Sequence, residues 1–436
     1  MALPDPRTAA DPGRGDIAGS DVKGDDTDEL GDVDCSALPV KGAVPPELDG
    51  TLFRIGPRDG QPYVSALRLR HGSAEWFRAR RIRTDEVCRQ TGELASPGPR
   101  RCASDVTAAA VIRHNRRTLA LGDGALPYEL APDLRTKARW DFDGTLPSGF
   151  TSQAVHDPLT GELFAAVAGR RTLDYVVVDV HGSVREYVPI PTPCDPRRYV
   201  FALTDRHAVF SGPAGVGIMP REGGARDIVW VGRPGTGQGP GPAHRPVNAF
   251  DLRGGGVAVD TVAVDTVGVD TVGVGTVGAA RSASAPGLWR WRVEPGAGGG
   301  VRGECLSQPA QDLAGFDERY RGSDHRYALT RRLDTGRGRR PGGIGLLRHD
   351  LVAGTSEQHG AKPGRLFGAP VFVPYSPTAP EGHGWVLVSV RDTGQDRDEV
   401  VIIDTADFAG PPVATVELPG TGPREASACW QVADPW

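Results

Sequence analysis

Short runs of β-branched and aromatic residues, each cut off by a cluster of Gly, Pro or Asp, recur along most of this 436-residue chain. Ser65 to Leu69, Thr118 to Leu121, Leu163 to Val167, Asp174 to Val180, His207 to Ser211 and Asp227 to Val231 form one series. The rhythm resumes in Pro370 to Pro374, Gly384 to Val390, Asp398 to Asp404 and Val413 to Leu418. Apolar runs of this length between turn formers read as strands, and no amphipathic helix of about a dozen residues interrupts them. The 59 glycines and 38 prolines supply more chain reversals than a helical bundle would tolerate. The fold class expected is therefore all-β, and so many evenly spaced strands in one unit favour a β-propeller over a sandwich or a single barrel.

Two stretches fall outside this rhythm. The acidic start of the chain, rich in Gly, Pro, Asp and Thr, has little apolar surface to bury, so residues 1–35 are expected to be a disordered tail ahead of a single domain over 36–436. From Val259 to Gly278 the chain runs through V-D-T-V-A, V-D-T-V-G, V-D-T-V-G and V-G-T-V-G. An odd period cannot hold one set of side chains on one face of a strand, so this low-complexity segment is read as an expansion in a loop or strand end. Thr335 to Gly343, rich in Gly and Arg, reads as a loop.

Fifty basic and 55 acidic residues, interspersed to a net charge of -5, make no single-sign field for nucleic acid or an anionic membrane. Nucleic acid is excluded as a partner on this ground; peripheral membrane contact stays open. No apolar run approaches the roughly 18 residues of a spanning helix, and the N-terminus lacks the basic start and apolar stretch of a secretion signal, which points to the cytoplasm. Six widely spaced cysteines offer neither a C-x-x-C metal site nor a disulfide framework. The glycines from Gly235 to Gly241 are interleaved with Pro240 and followed by no helix, so they do not cradle phosphate. None of the ten histidines forms a local metal pair.

Several blocks carry a resemblance, in order, over roughly residues 36 to 430. Val44 to Gly60 reads V-P-P-E-L-D-G-T-L-F-R-I-G-P-R-D-G, Leu146 to Leu163 reads L-P-S-G-F-T-S-Q-A-V-H-D-P-L-T-G-E-L, and Pro246 to Phe250 reads P-V-N-A-F. Ala74 to Thr84, Arg117 to Leu130, Phe316 to Tyr327 and Pro370 to Trp430 add to them. Together these blocks resemble the carotenoid cleavage oxygenase family. That resemblance implies a seven-bladed β-propeller whose axial cavity holds Fe(II) on four histidines braced by glutamates, and which cleaves an alkene in a carotenoid, apocarotenoid or stilbene with O2.

The chain departs from the family pattern at all four ligands. Gln153, Tyr199, Arg245 and Ser427 stand at the four histidine positions. The bracing glutamates correspond to Asp123, Asp312 and Ala369. Neutral imidazoles suit Fe(II), whereas a guanidinium is a permanent cation that only donates and so repels a metal. His156 and His244 lie near two of the positions but at odd displacements along a strand, which turns them to the other face. His207, eight past Tyr199, lies further off. Arg245 is expected in the place of the metal, countered by Asp123, Asp312 or Asp251, or else extended to solvent.

Three functions follow. The first is a degenerate or repurposed relative that binds an apolar small molecule (a polyene, terpenoid or aryl-alkene) with no iron; Gln153, Ser427, Asp123 and Asp251 are its candidate binding residues. The second is an iron dioxygenase with displaced ligands, which would need Fe(II). The third is metal-free acid–base catalysis by Tyr199, Arg245 and Asp312.

Overall fold

The computed structural model describes residues 31–100, 109–213, 215–232, 244–263, 286–296, 299–334, 342–360, 364–420 and 427–433. The architecture described below lies within Asp32–Trp436. It is a ring of seven antiparallel sheets, a seven-bladed β-propeller, as the resemblance implies.

Blades 2 to 6 each use four consecutive strands, beginning at Ala110–His114, Val155–His156, Val200–Leu203, His244–Asp251 and Gln311–Phe316. These first strands are the axial ones. Blade 7 is built on Val371–Pro374, Gly384–Asp392, Arg397–Asp404 and Ala414–Glu417. Blade 1 is Gly50–Arg58, Gln61–Arg70 and Ser73–Arg81 with Val33–Ser36 on its outer edge. Both chain ends close the ring: Ser427–Val432 becomes the axial strand of blade 1, pairing with Gly50–Arg58, while Val40–Gly42 pairs with Ala414–Glu417 in blade 7. Across this seam Arg54 of blade 1 faces Asp398 of blade 7 at 3.7 Å, with both side chains buried.

Apolar side chains fill the wedges between neighbouring blades, with Tyr175 of blade 3 set against Phe201 and Phe210 of blade 4. Leu52, Leu67, Leu387 and Ile402 fill the closing wedge. Because both faces of a blade are covered, its middle strands can be apolar throughout, without alternation.

This corrects the reading of the repeat. Its first copy, Val259 to Ala263, belongs to the wholly buried second strand of blade 5, Val257–Ala263. There Asp260 is held by Arg290 through two hydrogen bonds of 2.7 Å, and Thr261 accepts from the Trp291 indole at 3.1 Å. Residues 264–278 lie outside the described residues, as do residues 1–30 and the glycines at 235–241. Val33, Asp34 and Cys35, which the sequence assigned to the tail, lie in a strand of blade 1, where Arg80 bonds the Val33 carbonyl at 2.6 Å and the Asp34 carboxylate at 3.0 Å. Gly342 and Gly343, read as loop, begin the strand Gly342–Asp350. Among the described residues no helix is long and apolar enough to cross a membrane; the one α-helix, Asp85–Thr91, is seven residues long and capped by Thr84.

Candidate functional site

The four residues singled out from the sequence lie at or near the starts of axial strands. Gln153 lies two residues before the axial strand of blade 3, Tyr199 immediately precedes that of blade 4, Arg245 is second in that of blade 5, and Ser427 is first in that of blade 1. Asp123, in the turn between the second and third strands of blade 2, and Asp312, second in the axial strand of blade 6, belong to the same end of the ring.

A cavity of about 220 Å3 opens between the axial strands of blades 3, 4 and 5. Val155, Phe201, Leu203 and Val247 give it apolar walls, and Gln153, Arg245, Asn248 and Arg321 give it polar points. Of the residues singled out from the sequence, it brings together Gln153 and Arg245.

Arg245 is half-buried, and burial holds its guanidinium below the usual arginine range while the nearby charge of Asp123 opposes that shift. Neither a hydrogen bond nor an ion pair reaches it from the described residues. The other two carboxylates expected to neutralise it are engaged elsewhere. Asp312 takes two hydrogen bonds of 2.7 Å from Arg331 on the neighbouring strand. Asp251 binds His207 Nδ1 at 2.6 Å and accepts from Thr204 Oγ1 at 3.0 Å and the Arg206 amide at 3.1 Å, fixing the turn after the axial strand of blade 4. Asp123 itself accepts from Thr151 Oγ1 at 3.0 Å and from the Ser152 amide and hydroxyl at 2.8 Å each, all on Oδ1. Those bonds secure the Thr151–Ser152 turn, whose Thr151 hydroxyl in turn accepts from the Gln153 amide at 3.1 Å.

Tyr199 turns away from the cavity. Its ring lies over Gly212, where an added Cβ would come within 2.4 Å of the ring, and meets Trp230 edge-on at 5.7 Å. Glycine at 212 is what makes room for that orientation. The Tyr199 hydroxyl is buried with no partner among the described residues, and burial pushes it up to about 12. Ser427 is exposed and pairs with Ile55. Tyr199, Arg245 and Asp312 are thus not gathered around one cavity.

Of the two nearby histidines, His244 is committed to other contacts and His156 is exposed. His244 is buried, with Nδ1 on Thr261 Oγ1 at 2.9 Å and its ring edge-on to Trp291 at 5.3 Å. The His156 ring sits 6.3 Å from that of His114 on blade 2. Among the described residues no three His, Cys, Asp or Glu side chains converge as a metal site would require. Gln153 offers a weak neutral oxygen, Ser427 an exposed hydroxyl, Tyr199 a phenol that faces Trp230, and Arg245 a cation, so the residues at these positions do not fit Fe(II).

Two cavity residues escaped the sequence reading. Asn248 is buried and staples blade 5 to blade 6: its Nδ2 donates to the Tyr320 and Ser323 carbonyls at 3.0 and 2.9 Å, and its Oδ1 accepts from the Gly322 amide at 3.0 Å. The turn so held presents Arg321, which forms two hydrogen bonds of 2.5 Å with Glu318 and stacks on Phe316 at 4.7 Å. Asn248 lay in plain view in the P-V-N-A-F block; its partners, more than seventy residues away, did not.

The family model described as retinal pigment epithelial membrane protein matches residues 27–213 and 211–431. A carotenoid cleavage oxygenase of Mycobacterium tuberculosis is 28% identical, over 92% of this chain and 95% of its own length. An isoeugenol monooxygenase of Pseudomonas putida is also 28% identical, over 90% of this chain and 94% of its own. Among solved structures, a Pseudomonas brassicacearum lignostilbene dioxygenase superposes with a TM-score of 0.78 at 24% identity, covering 93% of this chain and 96% of that one. At that identity the likeness speaks for the fold.

Proposed function

The chain belongs to the carotenoid cleavage oxygenase family, and from that premise we propose that it is a repurposed member, binding a short apolar molecule in the axial cavity of its propeller without a four-histidine iron centre. One observation carries this reading: Arg245 lines the cavity from a position where the family pattern has a metal-binding histidine. A fixed cation there opposes Fe(II) as well as failing to bind it.

The apolar walls contribute to affinity through what is left exposed of Val155, Phe201, Leu203 and Val247, at roughly 25 cal/mol per Å2 of apolar area removed from water, and otherwise by excluding water around the ligand. The cavity volume of about 220 Å3 lies below the roughly 300–1,000 Å3 of sites for drug-sized ligands. Size therefore favours an aryl-alkene or a short terpenoid over a long polyene. The relatives named for isoeugenol, resveratrol and lignostilbene agree with the aryl-alkene side of that choice.

Binding is tested by titrating the protein with trans-stilbene and geraniol while following tryptophan fluorescence, beside Val247→Trp, which fills the cavity. Saturable binding of at least one ligand at one per chain, weakened by Val247→Trp, is expected, with no cleavage in the presence of Fe(II) and O2. Absence of saturable binding by both ligands, or alkene cleavage by the unmodified protein, would overturn the proposal.

A further inference from the structure

The polar points of the cavity are unequal. Arg321 is matched by the Glu318 carboxylate through two hydrogen bonds. Arg245 has no such partner among the described residues, and the one carboxylate whose charge acts on it, Asp123, spends Oδ1 on Thr151 and Ser152. Among the described residues, the cavity thus holds a cation without a hydrogen-bonded counter-charge, amid apolar walls.

A guanidinium does not shed its proton under ordinary conditions, so this charge cannot be relieved by titration. A charge in such surroundings is stabilised when an anion is brought to it, and the planar fork of arginine matches a carboxylate through two parallel hydrogen bonds. Resting on the reading that the axial cavity takes an apolar small molecule, we infer that its ligand is a short apolar acid, aryl or terpenoid, whose carboxylate is received by Arg245 while its hydrocarbon lies along Phe201 and Val247. Gln153, lining the same cavity, contributes a neutral amide and so leaves the positive charge of Arg245 uncancelled.

The experiment compares each acid with its uncharged isostere. Full-length protein at pH 7.5 and low salt is titrated calorimetrically with trans-cinnamate and cinnamamide, and with geranate and geranamide. At least one acid should bind roughly tenfold or more tightly than its amide, the difference expected of charge-assisted over neutral hydrogen bonds. Arg245→Gln should bring that acid and its amide to within about twofold by weakening the acid alone, and Arg245→Lys should restore part of the preference. Thermal melts of both variants check that the fold is kept. Amides that bind the unmodified protein as tightly as the acids would overturn the inference while leaving the apolar-cavity reading intact. So would a tenfold preference that survives Arg245→Gln. Binding by no member of the set while trans-stilbene or geraniol still binds would overturn the inference alone, and binding by none of these ligands would overturn both.

Discussion

The charge of Asp123 reaches Arg245 while its Oδ1 accepts three hydrogen bonds from Thr151 and Ser152. The carboxylate therefore serves the turn that carries Gln153 and, at the same time, partly offsets the cation in the cavity. Asp123→Asn separates the two roles, because the amide oxygen can still accept from Ser152 but no longer competes for the guanidinium. The variant should bind the preferred acid several-fold more tightly, with its amide unchanged, and lose on the order of 1 kcal/mol of stability. Calorimetry and denaturant unfolding read the two effects separately.

Closure of the ring rests partly on Arg54 and Asp398. Burial holds the Arg54 guanidinium below its usual range, so removing the carboxylate that faces it leaves a buried charge short of compensation. Asp398→Ala should cost about 3–5 kcal/mol in urea unfolding. A loss under about 1 kcal/mol would show that the seam does not depend on the pair.

His244 makes a pH prediction whose sign is fixed by burial, which lowers its imidazole to about 4 in the fold; in the unfolded chain it titrates near 6.5. Above pH 6.5 it is neutral in both states and contributes no pH dependence. As pH falls from 6.5 to 4 the unfolded chain takes up a proton that the folded chain refuses, and stability drops by up to roughly 3 kcal/mol. His244→Gln lacks this loss. The stability gap between the unmodified protein and the variant should therefore shift in the variant's favour across that window, and parallel pH profiles would refute the assignment.

The repeat divides into two parts with different expected costs. Deleting Val259 to Ala263 removes the buried middle of a blade 5 strand, including Asp260 and Thr261, and should prevent folding or cost more than about 5 kcal/mol. Deleting 264–278 in multiples of five residues should cost under roughly 2 kcal/mol. Soluble yield and unfolding midpoints distinguish the two.

Much of this fold was legible because each blade is local: strands such as Leu163–Ala168 and Thr172–Val178 are neighbours in sequence and in the sheet. The closures were harder to read, since Val40–Gly42 and Ser427–Val432 pair with strands hundreds of residues distant and their own sequences carry no trace of it. The first repeat copy misled because period-two alternation marks a strand with one wet face, and Val257–Ala263 has none. At the site, Gln153 and Arg245, singled out from the sequence blocks, line one cavity. The orientation of Tyr199 did not, for it depends on Gly212 lying beneath its ring on the paired strand. The choice among Asp123, Asp251 and Asp312 as neighbour to Arg245 likewise needed His207 and Arg331, which bind the other two.

Iron content tests the central claim most directly. The full-length protein is incubated anaerobically with excess Fe(II), passed through a desalting column and measured for metal by mass spectrometry. Far less than one iron per chain should remain, and Ser427→His alone should not raise it, because one imidazole cannot hold the metal beside Arg245. One iron retained per chain, and lost on replacing His156 or His244, would contradict the claim and show an iron centre with displaced ligands.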